Sequence, residues 1–80
     1  MVDVTEVRHL RDYVVWLKFQ DGTQGEVDLE NSLRGPVFEP LKDVEYFKRV
    51  RVDPELGTIV WPNGADIAPE TLYDRVYVAV

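Results

Sequence analysis

The sequence predicts an α+β fold, a small and mostly antiparallel sheet of four to five short strands with two short helices. Three observations carry that expectation. Apolar residues alternate at period two through Tyr13, Val15, Leu17 and Phe19, the spacing of a strand with a buried face. Asp21-Gly22 and Asp53-Pro54-Glu55-Leu56-Gly57 are turn sequences that reverse the chain after short runs. Pro40 and Pro69 each stand where a first helical residue is tolerated, ahead of apolar residues at helical spacing.

A chain of 80 residues makes one domain, residues 1–80, because that length buries only about 60% of its unfolded surface and has no material for a second core. With 45% apolar and 30% charged residues it is globular and not disordered. The absence of cysteine excludes disulfides, thiol nucleophiles and thiolate metal sites, so the fold must rest on packing. No apolar run approaches the ~20 residues of a membrane span, and Met1-Val2-Asp3-Val4 has neither the basic start nor the apolar middle of a signal peptide. A cytoplasmic protein without membrane contact is the expectation. The net charge of −6 disfavours nucleic acid by repulsion and makes a basic protein the expected partner.

Residues 2–9 alternate loosely between β-branched and polar types, which suits a half-buried first strand of ambiguous register. In the second, Tyr13–Phe19, Val14 and Trp16 make the other face apolar too, so it is expected at the centre of the sheet and covered on both sides. Beyond Asp21-Gly22, residues 23–29 form its antiparallel partner, with Val27 and Leu29 inward, Glu26 and Asp28 outward, and Gly25 weakening the start or marking a bulge. Glu30–Leu33 can make one helical turn before Arg34-Gly35-Pro36 stops it. A helix over roughly 40–49 should lay Leu41, Val44 and Phe47 across the sheet, with Asp43 as an alternative cap. Residues 50–53 and 58–61 form a second hairpin, which Pro62-Asn63-Gly64 ends. Ala68-Pro69-Glu70 opens the last helix, facing Leu72 and Val76 inward, and residues 77–80 can extend it, turn into a strand or fray.

The candidate sites are few. His9 is the single histidine and has no grouped partners for a triad or a metal site. Asp21, Glu26, Asp28 and Glu30 lack the spacing of a calcium loop, and no pair of carboxylates is marked for acid–base work, so no catalytic residue, metal or cofactor is expected. Lys48, Arg49 and Arg51 form the one basic cluster, which the closing end of a helix explains. Residues 21–40 hold five acids (Asp21, Glu26, Asp28, Glu30, Glu39) against Arg34, and residues 61–80 hold Asp66, Glu70 and Asp74 against Arg75. An acidic face built from the third strand and the last helix follows, or simply a solvated surface. The binding candidates are Trp61, Asn63, Asp66 and Tyr73, with Asp66 accepting backbone N–H bonds in the turn or at the helix start.

Asp21-Gly22-Thr23, the run Gly35-Pro36-Val37-Phe38-Glu39-Pro40-Leu41, Tyr46-Phe47, and above all Thr58–Asp66 with Pro69 and Leu72-Tyr73 resemble the bacterial family called domain of unknown function 2442. The resemblance covers nearly the whole chain, and its Trp-Pro-Asn-Gly-Ala-Asp element at 61–66 is specific. It implies a small α+β domain whose relatives often look like one member of a two-protein pair of toxin–antitoxin type. Some longer relatives carry a helix-turn-helix after this domain, and with 80 residues ending at Val80 no such DNA-binding appendage is expected here. The function expected is therefore a non-enzymatic interaction or regulatory module, antitoxin-like, binding through its acidic face or a sheet edge. The alternative is a small-molecule-binding accessory domain with a pocket lined by Trp16, Trp61 and Tyr73. An exposed edge strand leaves a homodimer open.

Overall fold

A computed structural model describes the backbone of residues 2–79 and the side chains of residues 2–76. Strands β1 (Val4–Arg11), β2 (Val14–Phe19) and β3 (Gln24–Asp28) form one antiparallel sheet in the order β1-β2-β3, with β2 central as its alternation predicts. Strands β4 (Arg51–Asp53) and β5 (Thr58–Val60) form a second, two-stranded antiparallel sheet. Helix α1 (Val44–Phe47) precedes that hairpin and α2 (Pro69–Ala79) follows it, so the fold is α+β. Of the residues left open at 77–80, the backbone of 77–79 continues α2, and Val80 lies outside the described residues.

Register decides which face of the large sheet is buried. Val15 pairs with His9 and Val27, and Leu17 with Val7 and Gly25, so these side chains share a face with Phe19. Val15, Leu17 and Phe19 are sealed, as are Leu72 and Val76 of α2, Phe47 of α1, and Ile59 and Trp61 at β5. All of them belong to one core. The other face carries Glu6, Lys18 and Gln24, then Arg8, Trp16 and Glu26, then Arg11, Val14 and Asp28. Six of these nine are exposed and Val14, Trp16 and Lys18 are half-buried, so the expectation that β2 is covered on both sides fails. Every other element is needed on the first face, because a chain this short has no second layer to spend.

Three further expectations change. The ambiguous register of β1 resolves into two shifts, between Val4 and Glu6 and between His9 and Arg11, and the strand runs on to Arg11 before Asp12 turns at φ 42°. The helix over 40–49 is two pieces, a 3-10 segment at Glu39–Lys42 and then α1. Asp43 separates them because its carboxylate accepts the Glu45 N–H at 3.0 Å, capping α1 while its own backbone stays extended. Gly25 is no bulge, since β2 and β3 pair without a shift. A Cβ there would stand 3.0 Å from Val76 Cγ1, so the glycine is what lets α2 lie close on β3.

That close approach is testable. Gly25→Ala is expected to destabilise the fold by about 1–3 kcal/mol through overpacking. Adding Val76→Ala should cost less than in the parent chain, and a double-mutant cycle by urea denaturation should show coupling of at least about 0.5 kcal/mol.

Candidate functional site

The segment Trp61–Asp66 closes on itself through its backbone. Trp61 N–H donates to Ala65 O and Gly64 N–H to Trp61 O, both at 2.9 Å, and Gly64 takes φ 89°, as Asn-Gly favours. Asn63 organises this turn: its Oδ1 accepts the Ala65 N–H at 3.1 Å and its Nδ2 donates to Val37 O at 2.8 Å. The role expected of Asp66 therefore belongs to Asn63, which lies two residues before the N–H to be capped. Asp66 joins by a backbone bridge to Val60, and its exposed carboxylate has no hydrogen-bond partner among the described residues. Trp61 is 1% exposed, and its indole N–H donates to Phe47 O at 3.0 Å inside the core. A side chain so enclosed has no surface to offer a ligand.

The two tryptophans do not meet. Trp16 stands on the open face of the sheet, with the Arg8 guanidinium 5.5 Å from its ring and the Arg11–Glu26 ion pair, 3.2 Å, spanning its strand. Because β2 sends alternate side chains to opposite faces, Trp16 cannot line a cavity with the core residue Trp61. The pocket expected between Trp16, Trp61 and Tyr73 is thus not formed.

Tyr73, by contrast, is half-buried and lines a surface cleft. Its ring packs edge-on against Phe19 at 5.1 Å, and its hydroxyl donates to Asp21 Oδ2 at 2.7 Å, with Thr23 Oγ1 at 3.3 Å. Asp21 Oδ1 accepts the Thr23 N–H at 2.9 Å, which closes the Asp-Gly turn with Gly22 at φ 90°. The Tyr73 hydroxyl and then the Thr23 N–H stabilise the charged form and hold the Asp21 carboxyl below its ordinary value of 3.8. Glu70, Tyr73, Asp74 and Val2 line a cleft of about 210 Å³ beside it. Asp21, Glu70 and Asp74 are all exposed, and none is in an ion pair among the described residues. The contact between Asp21 and Tyr73 spans 52 positions, a separation that no local sequence signal reports.

An acidic surface therefore exists, and its makeup differs from the expected one. Glu26 and Asp28 of β3 face away from the core beside Arg8, Arg11 and Lys18, and α2 meets the β2–β3 turn through Tyr73, whose cleft Glu70 and Asp74 line. Arg75 of α2 ties the helix to the chain after β3, donating to Asp28 O and, at 2.9 Å, to Ser32 Oγ. In the basic cluster Lys48 bonds Glu45 at 3.0 Å and Arg49 lies 5.5 Å from the Tyr46 ring, while Arg51 is exposed on β4. His9 is structural, its Nε2 2.8 Å from Asp12 O and its ring against Phe47. No helix among the described residues is long and apolar enough to cross a membrane.

Comparison with known proteins gives one family and one solved relative. A family model described as "Protein of unknown function (DUF2442)" matches residues 4–77. The crystal structure of a putative DNA binding protein from Nitrosomonas europaea is similar with a TM-score of 0.84 and 25% identity, over 99% of this chain and 51% of that one. The chain thus spans about half the length of that relative. No curated protein matches.

The Asp21–Tyr73 bond predicts an acid response. Asp21 is depressed in the folded state, so its stabilisation is complete above the unfolded carboxylate value and fades as pH falls through the lower folded one. Below about pH 4, the urea midpoint of the parent chain should fall more steeply than that of Tyr73→Phe. Carboxyl NMR should show Asp21 titrating closer to its ordinary value in Tyr73→Phe.

Proposed function

The chain belongs to the DUF2442 family of proteins of unknown function, and from that premise we propose that it is a non-enzymatic, cytoplasmic interaction module, the antitoxin-like member of a two-protein pair. Its partner is a basic protein that docks on the patch formed by Asp21, Glu70, Tyr73 and Asp74. One observation carries this reading: three exposed carboxylates, none in an ion pair among the described residues, stand by a tyrosine that is already ordered by Phe19 and Asp21. An ordered tyrosine offers an amphipathic contact at low entropic cost, and single-sign charge around it steers a basic partner and speeds encounter.

The description of the Nitrosomonas europaea protein favours a second reading, in which the domain serves DNA binding. The part of that protein outside the similarity leaves room for a separate DNA-reading unit, with the present domain as its regulatory half. A net charge of −6 argues against direct contact between this chain and phosphates.

The product of the gene adjacent to its own, co-purified at micromolar concentration, should form a 1:1 complex that weakens with salt. The triple variant Asp21→Asn, Glu70→Gln, Asp74→Asn should weaken it by about tenfold or more, the loss of roughly 1.4 kcal/mol. Absence of any complex, together with retardation of duplex DNA at low salt, would replace the first reading with the second.

A further inference from the structure

The open face of the β1–β3 sheet lies outside the Tyr73 patch and has a charge pattern of its own. Its nine side chains stand in three cross-strand rows: Glu6, Lys18, Gln24; Arg8, Trp16, Glu26; and Arg11, Val14, Asp28. The register shift between His9 and Arg11 places Leu10, 40% exposed, together with Arg11 opposite Val14. Leu10, Val14 and Trp16 thus make an apolar strip. On the β1 side of it stand Arg8 and Arg11, and on the β3 side Glu26 and Asp28. Glu6 and Lys18 are cross-strand neighbours, so the face sums to zero in a chain of net charge −6. Copies of this chain repel one another generally, and this neutral face is where they repel least.

We propose that this face is an isologous self-association surface whose occupant is a second copy of the chain. The pattern selects that occupant over the others. A nucleic-acid backbone would meet Glu26 and Asp28, and a basic protein would meet Arg8, Arg11 and Lys18. A second copy related by a two-fold axis parallel to β2 sets its β3 over β1 of the first while keeping the rows level. Arg8 then faces the second copy's Glu26 and Arg11 the second copy's Asp28, while Val14, Trp16 and Lys18 each meet their own counterparts on the axis, the like-charged Lys18 pair standing in the outer row. Face-to-face sheets stack about 10 Å apart and cross at about −30°, so the match is best at the central row and loosens outward.

Within one copy, Arg8 over Trp16 and the exposed Arg11–Glu26 pair already shield the indole from water. An exposed pair of this kind is worth only about 0–1 kcal/mol, so giving it up for the Arg8–Glu26 and Arg11–Asp28 pairings between copies costs little. Ten residues a side fall well short of the roughly 20–30 of a standard interface, which makes the dimer weak and reversible.

Sedimentation equilibrium at low salt, over roughly 5–500 µM, tests the proposal. The parent chain should pass from monomer to dimer. Arg8→Glu/Arg11→Glu and Glu26→Lys/Asp28→Lys, each confirmed folded by circular dichroism, should stay monomeric alone and dimerise when mixed one to one. Leu10→Lys, which alters no ion pair, should weaken the dimer about tenfold or more. Asp21→Asn/Glu70→Gln/Asp74→Asn should not weaken it, since the variant only lowers the general repulsion between copies, which separates this surface from the partner patch. A parent chain monomeric throughout the range, a dimer that survives in both charge variants, or a mixture that stays monomeric would overturn the proposal.

Discussion

A tryptophan can be sealed in a core only if its indole N–H finds an acceptor, since an unpaired buried donor costs roughly 1–3 kcal/mol. Trp61 meets that condition with the carbonyl of Phe47, and much of the architecture follows from it. The bond fixes the end of the second hairpin against the end of α1. The Phe47 ring then lies 5.6 Å from Trp61, 5.4 Å from Tyr13 and 5.8 Å from His9, so the same residue joins hairpin, helix and large sheet. Tyr13 in turn donates its hydroxyl to Lys42 O, which holds the 3-10 segment before α1 in place. Edge-on aromatic contacts such as Phe47 with Tyr13 add about 0.5–1.5 kcal/mol each beyond burial, and here they also set direction.

Gathering everything on one side of the sheet leaves the other side wet, and the charges follow from that division. Strands with one wet face are stable when cross-strand neighbours on that face are compatible, and Glu6 beside Lys18 and Arg8 beside Trp16 are such neighbours. The acids that enter no ion pair among the described residues include Asp21 of the β2–β3 turn and Glu70 and Asp74 in the first turns of α2. Glu70 gains there from the positive end of the helix dipole, which favours acids near a helix start whatever their later use. Two surfaces of different character result: one neutral and mixed, one acidic.

Much of this was legible residue by residue. The Asp-Gly turn, the inward set Val15, Leu17 and Phe19, the stop at Pro62-Asn63-Gly64 and the start at Pro69 are local signals with local causes, and each stands where the sequence places it. What was not legible is what depends on distant partners. Trp16 and Val14 read as a second buried face because alternation reports that both faces are apolar and says nothing about whether a layer exists to cover them. Gly25 read as a weak point because its reason, Val76, lies in another element. The exchange of roles between Asp66 and Asn63 was closer to reach, since an Asx residue caps the N–H two positions on and Asn63 stands two before Ala65. Of the four binding residues proposed from sequence, Trp61 is sealed in the core, Asn63 holds its own turn, Asp66 stands exposed beside it, and Tyr73 joins the acidic patch through the long-range bond to Asp21.

Both surfaces hang on the same hairpin. The inward side chains of β2 hold the core that seats α2, and the turn that ends β2 presents Asp21 to Tyr73. Its outward side chains put Val14, Trp16 and Lys18 along the middle of the open face. A chain with one small core cannot assign separate scaffolds to separate contacts, so β2 supports one surface with each of its alternating faces. The two surfaces point away from each other across a single layer of strands. A protein on the Tyr73 patch and a second copy on the open face would therefore occupy the domain together without competing for a side chain, sharing only the rigidity of the strand between them.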